Sequence, residues 1–119
     1  MRASGACDVA LEAAIAEASA ALGPLDLIVN AVSAGGSGRS GPFGGGPIAD
    51  ADLAGYRAWA AAVPEQAFVF LSTGARALRA AGSGGTLVQV TGGSARRALP
   101  GKGPWAAACA AVRALTQAA

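Results

Sequence analysis

Trp105 and Cys109 stand one helical turn apart in the last segment of the chain, GPWAAACAAVRALTQAA (103–119). An i, i+4 pair shares one helix face. An acid and the cation that tunes it could use that spacing. This pair suits neither role, because indole does not ionise usefully and a thiol does not replace an ammonium. Just upstream, TGGSARR (91–97) offers the hydroxyls of Thr91 and Ser94, with Arg96 and Arg97 as partners for an anionic group. The chain has no histidine, which removes the commonest general base and the commonest metal ligand. Its two cysteines, Cys7 and Cys109, lack the paired spacing of a zinc site or a disulfide framework. These residue types suit binding better than acid–base chemistry.

A second chemical candidate is the glycine-rich stretch 33–47, SAGGSGRSGPFGGGP. A phosphate-binding P-loop places lysine and a hydroxyl directly after its last glycine, and none follow here. A dinucleotide loop opens a helix straight after a strand, whereas Pro42 and Pro47 intervene before the next helical pattern. The stretch reads as a long surface loop.

The elements that must position these groups alternate in type. ASGAC (3–7) reads as a short strand, with Asp8 as the N-cap of a helix through VALEAAIAEASAAL. Leu11, Ile15, Ala18 and Leu22 recur at helical spacing, and Gly23-Pro24 ends the helix. LDLIVNAV (25–32) and TLVQV (86–90) read as strands buried on both faces of a parallel sheet. Between them Asp50 and Asp52 can cap a helix with Leu53, Tyr56, Trp59 or Ala60, and Val63 on one side. Pro64 should kink that helix or start a second one. The second pattern continues through Phe68, Leu71, Ala75 and Leu78 to AGSGG. The order predicts an α/β fold with a parallel sheet flanked by helices. Ligands of such sheets bind at the carboxyl ends of the strands, where Asn30, Ser33, Thr91 and Ser94 fall.

Composition narrows the function classes. The 119 residues give room for one domain, 1–119, with 53% apolar and 13% charged residues, enough apolar surface to collapse. Much of it is alanine, which buries little area, so the core should be thin. The net charge is +2 with the basic residues scattered, so no dense stripe points to nucleic acid. No apolar run is long and charge-free enough to span a bilayer. Arg2 is followed by Asp8 and Glu12 rather than by an apolar signal region. A reduced, cytoplasmic setting is expected.

Three segments in order, CDV (7–9), GPLDLIVNAVSAG (23–35) and GGTLVQVTGG…PWAAACAAVRALTQAA (84–119), resemble the short-chain dehydrogenase/reductases, Rossmann-fold NAD(P)-dependent oxidoreductases. The likeness covers nearly the whole chain. It implies a partial Rossmann-like domain running from the family's third strand to the helix after its fifth. By that resemblance NAD or NADP is the cofactor. Asp8 and Val9 match the residues on the adenine ring, Asn30 and Ala31 match the strand end along the adenine ribose, and Thr91 follows the fifth strand. The family's catalytic serine, tyrosine and lysine fall on Gly92, Trp105 and Cys109, and its relay asparagine falls near Pro64. No catalytic residue is therefore expected.

The resemblance also implies that the first strand, the glycine motif for the diphosphate and the last two strands lie outside these 119 residues. The chain is then expected to be a truncated pseudoenzyme, inactive alone. The alternative is a non-catalytic binding module that self-associates, or pairs with a full-length relative, through helices 50–81 and 103–119. A third reading keeps it as an atypical reductase that uses Ser94.

Overall fold

The computed structural model describes residues 3–32, 46–82 and 84–119, with side chains from residue 8 onward. In chain order the elements are α1 (Ala3–Leu22), β1 (Leu27–Asn30), α2 (Leu53–Ala60), α3 (Ala62–Ala81), β2 (Thr86–Gln89) and α4 (Gly103–Ala118). A single 3₁₀ turn, Gly93–Ala95, follows β2. The molecule is a mixed α/β structure, mostly helical, around one two-stranded sheet.

β1 and β2 pair in parallel, with Leu27 beside Thr86 and Asn30 beside Gln89. The backbone N–H of Thr86 donates to the Asp26 carbonyl at 2.8 Å, and that of Val90 to the Asn30 carbonyl at 3.0 Å. A parallel pair needs a crossover, and α2 and α3 supply it, as the alternating pattern predicted.

The strand expected at 3–7 does not form: helix α1 already begins at Ala3. Alanine is the best helix former and a poor strand former, so the helix extends through ASGAC. Asp8 consequently lies inside α1 and is not its N-cap. Of the predicted face, Ile15 is buried, Leu11 and Ala18 are half-buried, and Leu22 in the last turn is exposed.

Neither strand is buried on both faces. Leu27 and Val29 are 54% and 52% exposed, and Val88 is exposed beside them. Ile28, Asn30, Leu87 and Gln89 point the other way and are covered. Leu87 lies against Gly74 of α3, where a Cβ would stand 2.7 Å from Leu87 Cδ2. Glycine within a helix costs about 1 kcal/mol relative to alanine, and here it lets the helix close onto the strand. One helical layer covers one sheet face, and the described residues put nothing on the other.

Asp52 caps α2: its Oδ1 accepts a hydrogen bond from the Gly55 N–H at 2.6 Å. The helix breaks at Ala61, and α3 starts with Pro64 in its first turn. First-turn N–H groups have no intrahelical acceptor, so proline loses nothing there. The predicted faces need two corrections. Leu53 and Tyr56 are exposed, and Phe70 rather than Phe68 is buried. The true stripe of α3 is Val63, Ala67, Phe70, Leu71, Gly74 and Leu78, a consistent 3.6-residue repeat that leaves Phe68 off the face. Gly82, with φ +75°, ends α3 in the left-handed conformation that glycine adopts without strain.

The tightest cluster of the core sits among α2, α3 and α4, while Leu78 and Gly74 of α3 meet Gly85 and Leu87 at the sheet. Val63, Ala67, Ala108 and Val112 form its centre, with Trp59 and Trp105 packed against it. The small alanines let α3 and α4 approach closely, and the two indoles fill the remaining volume. Their ring centroids are 5.1 Å apart at an interplanar angle of 80°, an edge-to-face pair.

Candidate functional site at the carboxyl ends of the strands

Both strands deliver a polar side chain to their carboxyl ends, and the parallel register sets the two side by side. Asn30 Nδ2 donates to Gln89 Oε1 at 2.9 Å. Asn30 Oδ1 accepts from the Val32 N–H at 3.1 Å, and Gln89 Nε2 donates to the Val90 carbonyl at 2.9 Å. Asn30 is buried, and a buried amide with partners on both of its atoms fixes the strand ends against each other.

A cavity of about 290 Å³ opens beyond this amide pair. Ala31 and Val32 line it just after β1, Gln89 to Gly92 at and after the end of β2, Val63 and Gln66 from α3, and Trp105 and Val112 from α4. Every one of these side chains is uncharged at any ordinary pH. Proton transfer to a reacting group needs a side chain that titrates, and among the described residues none lines this wall.

Gly92 is where the cavity meets the core. A Cβ built on it would lie 3.1 Å from Trp105 Cζ2 and 3.3 Å from Cys109 Sγ. Gly92, on which the resemblance would put the family's serine, thus lies against both Trp105 and Cys109, on which it would put the tyrosine and lysine. The indole of Trp105 covers the Gly92 backbone, and the Cys109 thiol is fully buried behind it with no disulfide.

The other expected positions are spread out. Ala31 and Thr91 line the cavity, while Asn30 holds its wall. Asp8 and Val9 are not among the lining residues. Val9 is exposed on α1, and Asp8 Oδ1 accepts from Thr73 Oγ1 of α3 at 3.3 Å. Arg76 Nη2 in turn donates to Thr73 Oγ1 at 3.2 Å and to Glu12 Oε1 at 3.1 Å. Thr73 is only 2% exposed, so this network ties α1 to α3. Ser94 is half-buried in the 3₁₀ turn, and Arg96 and Arg97 are exposed after it. Ser33 lies outside the described residues, as does nearly all of the glycine-rich stretch 33–47.

No family model, curated protein or solved structure matches the chain.

Sequence reading passed over Gln66, Gln89 and the partner role of Trp59. For Gln89 a signal existed: a lone amide ends the apolar strand TLVQ, as Asn30 ends LIVN. Gln66 carries no such signal, because a glutamine in a helix is ordinarily a solvated residue. Among the described residues, no helix is long and apolar enough to cross a membrane.

Proposed function

We propose that the chain is a Rossmann-like unit of the short-chain dehydrogenase/reductase type that has lost hydride-transfer chemistry and is inactive alone. The observation that carries this reading is the contact among Gly92, Trp105 and Cys109 beside the carboxyl end of β2. The family's serine, tyrosine and lysine would converge at these aligned positions. An indole occupies the tyrosine position, and the space over Gly92 that a serine hydroxyl needs is closed by that indole. The parallel pairing of β1 with β2 across a helical crossover is consistent with the family's fourth and fifth strands. NAD or NADP remains the cofactor class under this reading, and the unpaired Cys109 fits a reducing cytoplasm.

The test is NADPH oxidation over a panel of carbonyl compounds, with NAD(P)H titrated by calorimetry alongside. The expected result is no turnover and binding no tighter than about millimolar, roughly −4 kcal/mol. Turnover that disappears in Ser94→Ala would sink the proposal in favour of an atypical reductase.

One observation favours a second reading, a module that associates through helices 50–81 and 103–119. A groove of about 270 Å³ between α3 and α4 is lined by Phe68, Leu71, Ala75, Leu115 and Ala118. Phe68 stands 57% exposed in it, and the ring with the apolar groove forms a contiguous patch of the kind that marks interaction sites. Analytical ultracentrifugation at micromolar concentration should show a dimer that Phe68→Glu converts to monomer. A compact monomer for the unaltered chain removes this reading.

A further inference from the structure

We infer that the cavity at the carboxyl ends of β1 and β2 binds a small uncharged aromatic ring carrying an amide or lactam edge. Its volume of about 290 Å³ lies at the lower limit for ligand pockets, which suits a single ring system. Among the described residues, its wall has no ionisable side chain. A charged ligand would give up its hydration there with no counter-charge to offset the loss. Val63, Val90 and Val112 with the Trp105 indole supply apolar surface for a flat ring.

The polar groups narrow the class further. The Gln89 amide is committed on both atoms, to Asn30 and to the Val90 carbonyl. Gln66 is half-buried on the same wall, and its amide has no hydrogen-bond partner among the described residues. It presents a donor beside an acceptor. A planar ligand with an adjacent acceptor and donor closes two hydrogen bonds with such an amide, the geometry by which glutamine reads an adenine edge. Thr91 adds a hydroxyl at the rim. The wall of the cavity alone carries this inference, and descent from an oxidoreductase plays no part in it.

Benzamide, benzoate and benzamidinium share one shape and differ in charge, so they isolate the deciding variable. Each is titrated into the full chain and followed by saturation-transfer NMR and by tryptophan fluorescence. Benzamide should bind saturably in the millimolar range, as befits so few atoms. Both ions should bind at least about tenfold more weakly. Gln66→Leu, with its fold checked by circular dichroism, should weaken benzamide about tenfold. The three-ligand comparison on the unaltered chain decides the matter even if that variant misfolds. Equal binding of the three compounds overturns the inference. So does an absence of saturation by benzamide up to its solubility limit, or unchanged affinity in a folded Gln66→Leu.

Discussion

The Gly92 backbone lies against the indole of Trp105, close enough that a single added carbon would stand 3.1 Å from Cζ2. Residues 92 and 105 therefore cannot vary independently. A side chain at 92 requires the indole to withdraw, and the indole is also packed edge-to-face with Trp59. Gly92→Ala should destabilise the chain by about 1–3 kcal/mol through overpacking. Trp105→Phe removes the atoms in conflict, so the double variant should be more stable than the two single effects predict, by at least about 0.5 kcal/mol. Urea unfolding of the four proteins measures the coupling, and strict additivity would show that the two residues do not compete for space.

Gly74 allows a prediction of sign. Helix propensity alone makes Gly74→Ala stabilising by about 1 kcal/mol. Contact with Leu87 opposes this, since the new methyl would stand 2.7 Å from Cδ2, and overpacking of that kind costs about 1–3 kcal/mol. Net destabilisation is expected. In a Leu87→Ala background the same substitution should turn neutral or stabilising. Stabilisation in the unaltered chain would mean that α3 is not pressed onto β2.

The amide pair of Asn30 and Gln89 joins the strand ends. Asn30→Leu leaves the Val32 N–H and the Gln89 carbonyl oxygen without their partner, and should cost about 1–3 kcal/mol. Gln89→Leu removes the cross-strand acceptor and the bond to the Val90 carbonyl, with a smaller loss because Gln89 is only half-buried. Denaturant midpoints of the two variants and the double variant give the ordering. A Gln89→Leu loss exceeding that of Asn30→Leu would contradict it.

Thr73 and the Glu12–Arg76 ion pair separate buried from exposed contributions in one network. Thr73→Val keeps the shape and deletes both hydroxyl hydrogen bonds, to Asp8 and from Arg76. A loss of about 1 kcal/mol or more is expected for this buried site. Glu12→Gln touches a pair whose side chains are 56% and 54% exposed, and it should change stability by less than about 1 kcal/mol. Thermal melts at low and high salt test this: only the Glu12 effect should fade as salt rises.

Much of the architecture was readable from local pattern. The two apolar runs became the paired strands, Asp52 capped α2, and the chain broke near Pro64, because caps, prolines and apolar runs act within a few residues of themselves. Alanine spoiled the reading at 3–7, where a neutral, helix-prone segment carries no periodicity to mark its start. The burial of each face depended on partners distant in sequence. Phe68 and Phe70 are equally apolar, and only the packing of α3 against its neighbours buried Phe70 and left Phe68 exposed. The strands look doubly buried in sequence because apolar content says how much surface wants cover, not whether a second layer arrives. The positions on which the resemblance would put a catalytic set were visible as unsuitable residue types. Their closure around Gly92, and the neutral cavity walled partly by Gln66 and Gln89, came from bringing residues 30, 66, 92 and 105 together in space, which no spacing along the chain encodes.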